Sequence, residues 1–240
     1  MSELSDRRAR KKAQTRELIR EVAHRLFAQR GFDVVTIVDI AREADVAVQT
    51  VFNHFATKEE LFFSGRTPWV TGPAAAVRSR EPSVPPLCAL RAYLLEAVHE
   101  LIASHAAAER RCYVATLEAS EALRVQEREL VHTAEFSLRD ALLEAWTADP
   151  DAPGTPVDPR TAAALVAAVW LAATRTLVVE QRPELTDGAD PEKKAADVMD
   201  LADRVLSQLQ AGVSLVHGRP EPAPARTDNG WPRTPARRAG

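Results

Sequence analysis

The sequence predicts an all-α protein. Apolar residues recur at helical spacing along most of the chain, no long alternating β-branched run appears, and only 9 of 240 residues are glycine. With 45% hydrophobic and 27% charged residues, the chain reads as globular and soluble. Its formal net charge of −3 argues against indiscriminate coating of nucleic acid. Positive charge is concentrated at the start, where Arg7, Arg8, Arg10, Lys11, Lys12, Arg16 and Arg20 face only Glu17. Residues 1–14 therefore read as a flexible basic arm.

Leu18, Ile19, Val22, Ala23, Leu26 and Phe27 form the apolar stripe of a first helix. Gly31 supplies a left-handed cap, with Phe32 placed to fold back on the last turn. Thr36, with Asp39 three residues on, opens a second helix reaching about Ala44. A third runs from about Val48 to Phe55, and the Thr57/Glu60 capping box starts a fourth at Lys58. Pro68, Pro73, Pro82, Pro85 and Pro86 then allow a helix extension or short helix and a connector. Three helices are expected at roughly 87–104, 107–121 and 124–147, followed by the loop "ADPDAPGTPVDP". Asp158-Pro159 and Asp190-Pro191 each pair an N-cap with proline at the first helical position, opening helices at about 159–181 and 191–214. Residues 217–240 are rich in Pro and Arg and read as a disordered tail.

The second and third helices fit a helix-turn-helix. Ala41 is the small residue for close packing, Asp45 sits at the turn, and Ile40, Val46 and Val51 supply the apolar contact. A plain helical corner uses the same pattern, so the pattern alone leaves DNA binding open. The longer block "TRELIREVAHRLFAQRGFDVVTIVDIAREADVAVQTVFNHFATKEELF" resembles the DNA-binding domain of TetR-family transcriptional regulators. Four elements match in order: the stripe ending in "LFAQRGFD", the "DIAREA" helix, the V-x-x-x-T-V-F-x-H-F recognition helix and the "TKEELF" helix start. Three residues depart from the family habit. Asp45 stands where Gly is usual, Ala47 where Ser or Thr commonly caps the recognition helix, and Phe52 where Tyr is frequent.

The resemblance implies a helix-turn-helix domain at 15–64, then a helical ligand-binding and dimerisation domain at 65–216. It implies a repressor that binds a near-palindromic operator in double-stranded DNA as a homodimer and is released by a small-molecule effector. Within the recognition helix, Gln49 and Asn53 can read adenine edges and Val48 a thymine methyl. Thr36, Thr50, Phe52, His54 and Lys58 are placed for the DNA backbone, with a structural cap as the alternative for His54. The basic arm can follow the backbone or enter a minor groove, or simply aid solubility.

Leu165, Val169, Ala173 and Leu177 line one helix, and Val198, Ala202, Val205 and Leu209 another; these are the expected dimer faces. His99, Cys112, Tyr113, His132, Phe136, Trp146, Trp170 and Arg175 are the candidates for lining an effector pocket, although each residue type commonly serves packing alone. The Leu-, Val- and Ala-rich surroundings point to a largely apolar effector. A DNA-binding protein without any ligand is the alternative. A third reading is a metal-binding helical bundle, suggested by Glu96/His99 and Glu129/His132, but too little chain separates the pairs for a full di-iron arrangement. No H-E-x-x-H, nucleophile elbow or phosphate-cradling glycine loop is present, so the sequence calls for no catalytic residue, metal or cofactor. Cys88 and Cys112 lack CxxC spacing and read as two buried thiols in a reducing compartment. The basic start lacks a following apolar region, and no uncharged apolar run reaches about 18 residues, the nearest ending at Arg175. No membrane association and a cytoplasmic location are the expectations.

Overall fold

The computed structural model describes residues 2–105, 108–152, 154–180 and 191–216. Among them are ten helices and no strand: α1 (Ser2–Arg30), α2 (Ile37–Glu43), α3 (Val48–His54), α4 (Lys58–Phe63), α5 (Pro68–Arg78), α6 (Pro86–His105), α7 (Ala108–Ala119), α8 (Glu121–Ala148), α9 (Pro159–Glu180) and α10 (Pro191–Val216). The expected arm at 1–14 is instead helical from Ser2 onward, continuous with α1. Residues 7–14 consist of Arg, Lys, Ala and Gln, all strong helix formers, and a helix already nucleated downstream propagates through them. The tail at 217–240 and the Asp190 cap lie outside the described residues.

Local signals set the helix ends. The Gly31 amide, at φ 83°, donates to the Phe27 carbonyl at 2.9 Å. At the start of α2 the Asp39 amide donates to Thr36 Oγ1 at 3.2 Å, and the Thr36 amide returns a bond to Asp39 Oδ2 at 3.1 Å. Asp45 takes φ 51° in the turn, where glycine is favoured but Asp is tolerated. The α3 start has no side-chain cap, as Ala47 dictates. At α4 the Glu60 amide donates to Thr57 Oγ1 at 2.9 Å, while the Glu60 carboxylate accepts from the Ala56 amide at 2.7 Å.

The α1 stripe packs inward through Ile19, Val22, Ala23, Leu26 and Phe27, whereas Leu18 is exposed. Phe27, Phe32 and Phe62 form a triangle with ring centroids 5.1, 5.9 and 5.7 Å apart. Such pairs contribute roughly 0.5–1.5 kcal/mol each beyond the area they bury. This core does not end with the DNA-binding segment. Tyr113, Val114 and Leu117 of α7 and Leu123 of α8 belong to the same cluster. A second core joins α5, α6, α8, α9 and α10 around Trp146 and Trp170. Thus α7 and the start of α8 weld the N-terminal helices to the larger helical body, and α5 leaves α4 through a connector of only a few residues.

Candidate functional site

Val51 is fully buried and Phe55 nearly so, and they fix α3 against α1 and α2. That anchoring turns Val48, Gln49, Phe52 and Asn53 outward; Val48 is 37% and Phe52 48% exposed. Gln49 Nε2 donates to Asn53 Oδ1 at 3.2 Å, so the two amides form one platform on the open face of the helix. Two exposed apolar groups beside paired amides suit the base edges of a major groove.

The flank of α3 is basic. Arg16 of α1 donates to the His54 carbonyl, and its guanidinium lies 4.0 Å from the centroid of the Phe55 ring. Burial and the nearby Lys12 and Arg16 charges hold the His54 imidazole below its ordinary pKa, so it stays neutral at pH 7. Thr50 is half-buried at the side of α3.

Two residues assigned to the backbone from sequence have other work. Lys58 turns its ammonium inward, donating to the Phe32 carbonyl at 3.0 Å and the Val35 carbonyl at 3.1 Å, with the Phe32 ring centroid 4.2 Å away. Its hydrogen bonds clamp the loop after α1 onto α4. Thr36 spends both donors on Asp39, since its hydroxyl also donates to Asp39 Oδ2 at 2.6 Å. Asp39 is held ionised below its usual range by those bonds, and its negative charge stands beside the α2 start. In this arrangement Thr36 has both donors committed to Asp39, and Lys58 has two of its three N–H bonds committed within the chain.

A cavity of about 100 Å³ lies inside the helical body, walled by α5, α6, α7, α8 and α9. Trp69, Pro73, Tyr93, Leu94, Leu171 and Val178 make it mainly apolar, while Arg110, Glu127 and Arg175 bring charge to its edge. Pro73 sits inside α5 and cannot donate to the Trp69 carbonyl, which loosens the helix where it faces the cavity. Of the eight pocket candidates read from sequence, Arg175 lines this cavity. His99 is exposed on α6; His132 and Phe136 are exposed and line a shallow surface recess between α8 and α9. Trp146 and Trp170 are buried in the second core, and Cys112 and Tyr113 face a different cleft, beside α1. Burial and the charge of Glu100 raise the Tyr93 hydroxyl above its ordinary pKa. The aromatic Trp69 and Tyr93, near the proline breaks, were the missed signal.

Leu165 and Val169 on α9 are 55% and 44% exposed, and with Val157 and Gly212 they edge an apolar groove of about 470 Å³ between α9 and α10. The window Pro159–Val179 has mean hydropathy 1.9, yet only 28% of it is buried. Val198 and Ala202, expected on the dimer face, are instead buried beside Val98 of α6 within the same chain. Leu177 packs partly against that cluster, Leu209 packs partly against the main helical core, and Ala173 and Val205 are half-buried. The inward stripe of α10 thus runs through Val198, Ala202 and Leu206. Glu96, His99, Glu129 and His132 are all exposed, and no three His, Cys, Asp or Glu side chains converge among the described residues.

Residues 19–64 match the family described as bacterial regulatory proteins, tetR family. No curated protein matches the chain. Among solved structures, NalD, the secondary repressor of the MexAB-OprM multidrug efflux pump in Pseudomonas aeruginosa, is 23% identical, with 81% of this chain and 96% of that chain covered at a TM-score of 0.52. The SmeT–triclosan complex, SmeT being the repressor of a Stenotrophomonas maltophilia efflux pump, is 17% identical, with 80% and 91% covered at a TM-score of 0.51. At these identities the two structures share this chain's fold. Over residues 19–64, the helix-turn-helix segment, the chain is thus similar to the tetR family of bacterial regulatory proteins.

Proposed function

We propose that the protein is a transcriptional repressor that reads a near-palindromic operator as a homodimer and releases it when a small, largely apolar molecule enters the helical body. The exposed face of α3 carries this reading. With Gln49 Nε2 bonded to Asn53 Oδ1, the outer Gln49 oxygen is left to accept from adenine N6 and the outer Asn53 nitrogen to donate to adenine N7. Val48 lies beside them and suits a thymine methyl, so each half-site has an A·T pair opposite these residues. Thr50, the Phe52 ring and neutral His54 meet the backbone. The helical extension of α1, with Arg7, Arg8, Arg10, Lys11 and Lys12 exposed, follows the phosphates outside the groove. Such a protein works in the cytoplasm, where the chromosome is.

The apolar groove along α9 and α10 supports the homodimer, since a lone chain leaves Leu165 and Val169 in water. Release follows from connectivity. Trp69 and Pro73 of α5 wall the central cavity, and α5 is joined directly to α4, which packs on α1. A molecule that displaces α5 therefore tilts the DNA-binding domain and changes the spacing of the two recognition helices. By linkage, operator DNA weakens effector binding by the same factor. The cavity is small beside the roughly 300–1,000 Å³ of typical ligand sites, so entry requires the walls to part. That small volume also favours a second reading, a DNA-binding protein without an effector.

Selection of bound DNA from a random pool tests the main reading. A two-fold symmetric site, bound by two chains and lost with Gln49→Ala and Asn53→Ala, is the expected result. Salt-sensitive binding without a selected motif refutes it. A thermal-shift screen of apolar compounds against the DNA complex separates the two readings of the cavity.

A further inference from the structure

A second cleft, of about 310 Å³, lies where the DNA-binding helices meet the helical body, between α1, α4 and α7. Its walls combine aromatic groups with charged groups of both signs. Phe27, Phe62 and Tyr113 supply aromatic surface, with Phe62 and Tyr113 stacked at 5.1 Å and 11°. Arg20, Arg25 and Arg66 supply guanidinium groups, Arg25 being paired with Glu43, and Glu21 and Glu109 supply carboxylates.

Arg66 stands in the connector between α4 and α5, and its side chain is only 15% exposed. It lies 5.2 Å from the Tyr113 ring centroid and 5.6 Å from that of Phe62. The carboxylate it meets, Glu109, is 3.6 Å away and 86% exposed. A buried cation is normally held by a close, desolvated carboxylate, and this long contact to a solvated one falls short of that. Burial lowers the Arg66 pKa, and Arg20 contributes by repulsion. Arg20 lies against Gly65, where an added Cβ would come within 2.9 Å of its Nη1, so the two guanidiniums converge on the same connector. Arg20 pairs with the half-exposed Glu17 through Nε and Nη2, which leaves Nη1 on the connector side. His24, on the same wall, donates from Nε2 to the Leu61 carbonyl at 3.1 Å and stays neutral, its pKa lowered to about 4 by burial and by Arg66. The Arg20 and Arg66 guanidiniums thus converge above an aromatic floor, with Glu21 and the solvated Glu109 at the cleft wall.

We propose that this cleft is a ligand site separate from the central cavity. It takes a small organic carboxylate, with the carboxylate on Arg66 and Arg20 and the apolar part against Phe62 and Tyr113. Guanidinium groups pair with carboxylates in a planar, two-bond geometry, and aromatic side chains accept a flat apolar group. Because Arg20 belongs to α1 and Tyr113 to α7, an occupant braces the DNA-binding helices against the body.

The test is calorimetric titration of the full-length protein with sodium benzoate at neutral pH and fixed ionic strength, with sodium acetate and inorganic phosphate as comparison titrants. Benzoate is expected to saturate one site per chain, with acetate and phosphate weaker. Arg66→Gln and Arg20→Gln each weaken benzoate by about tenfold or more. Ala97 of α6 lines the central cavity, and Ala97→Phe, which occupies that space, leaves benzoate binding unchanged. Since Arg66→Gln can loosen the joint itself, nuclear Overhauser contacts on the unaltered protein give a second readout, from benzoate ring protons to Phe62 and Tyr113. Absence of saturable binding overturns the proposal. So do contacts to Trp69 and Tyr93 in place of Phe62 and Tyr113, or binding indifferent to both arginine substitutions. Phosphate binding as tightly as benzoate overturns the organic part of the assignment.

Discussion

Gln49 and Asn53, one helical turn apart on the open face of α3, are tied by a 3.2 Å hydrogen bond from Gln49 Nε2 to Asn53 Oδ1. The bond fixes which amide atom of each side chain faces outward. It therefore converts two mobile polar groups into one donor–acceptor pair before any DNA arrives, at little further cost in side-chain entropy. Asn53→Ala is expected to weaken binding to the selected operator by about 1–3 kcal/mol and to relax the preference for adenine at one position. Gln49→Ala should cost a similar amount, and the double substitution less than the sum, because each single change already frees its partner. Fluorescence anisotropy with operator and with a transversion at the A·T pair measures both effects. Both residues are exposed, so the unfolding midpoint should stay put.

Lys58 offers the opposite case. Its ammonium is bonded to the Phe32 and Val35 carbonyls. Lys58→Met keeps much of the packing but leaves both carbonyls short of a donor, and is expected to destabilise the fold by about 1–3 kcal/mol in urea titration. The slope of log affinity against log salt should not change. Were Lys58 instead paired with a phosphate, its removal would flatten that slope by about 0.9, which separates the two roles.

What the sequence made legible was what lies close along the chain. The Thr36/Asp39 box, the Gly31 cap and the Thr57 cap each depend on residues within four positions, and their side-chain chemistry names the geometry. The α3 face was legible for a related reason: burying Val51 and Phe55 leaves Gln49 and Asn53 nowhere to point but outward. The inward bonds of Lys58 were not legible, because its acceptors are backbone carbonyls 23 and 26 residues earlier, which have no sequence signature. On α10 two apolar stripes were visible, but only Val98, on a helix about a hundred residues earlier, decides that Val198 and Ala202 face inward. The cavity was missed because its walls are largely Pro73, Ala97, Leu171 and their like, residues chosen for shape. Polar and aromatic types drew attention to Trp146, which packs the core instead.

The homodimer rests on α9. Leu165→Glu combined with Val169→Glu places two carboxylates in the apolar groove, where pairing with a second copy would have to bury them unpaired. Sedimentation should show a monomer with unchanged helical content by circular dichroism. Affinity for a full operator should fall towards that for a half-site. A dimer that persists through both substitutions would place the interface elsewhere.

His24 predicts a pH dependence with a definite sign. Its pKa is lowered in the folded protein from 6.5 to about 4, mainly by burial and then by the Arg66 charge. Between those values the unfolded chain takes up a proton that the native state refuses. Stability therefore falls as pH drops from about 6.5 towards about 4 and is indifferent to this group above that window. His54, shifted in the same direction, adds to the trend. Replacing His24 with Gln keeps a donor for the Leu61 carbonyl and removes the titration. Urea midpoints compared at pH 7 and pH 5 should fall less in His24→Gln than in the native sequence, with carboxylate effects common to both.

Gly72 controls Tyr93. An added Cβ at Gly72 would stand 1.9 Å from the Tyr93 hydroxyl and 2.8 Å from its ring edge, so Gly72→Ala must swing the ring away and break its bond to the Pro68 carbonyl, now 3.1 Å. Losing that bond costs about 0.5–1.5 kcal/mol, and alanine returns about 1 kcal/mol of helix propensity within α5. Overall stability should consequently move little, while the wall of the central cavity changes. Tyr93 reports on it directly, because burial and Glu100 hold its hydroxyl above the ordinary value of 10.0. Ultraviolet titration of the chain's 2 tyrosines should show one phenol ionising at lower pH in Gly72→Ala than in the native protein. An unmoved titration would mean that α5 shifts as a body and carries Tyr93 with it, in which case operator affinity, and not the cavity wall, should respond to the substitution.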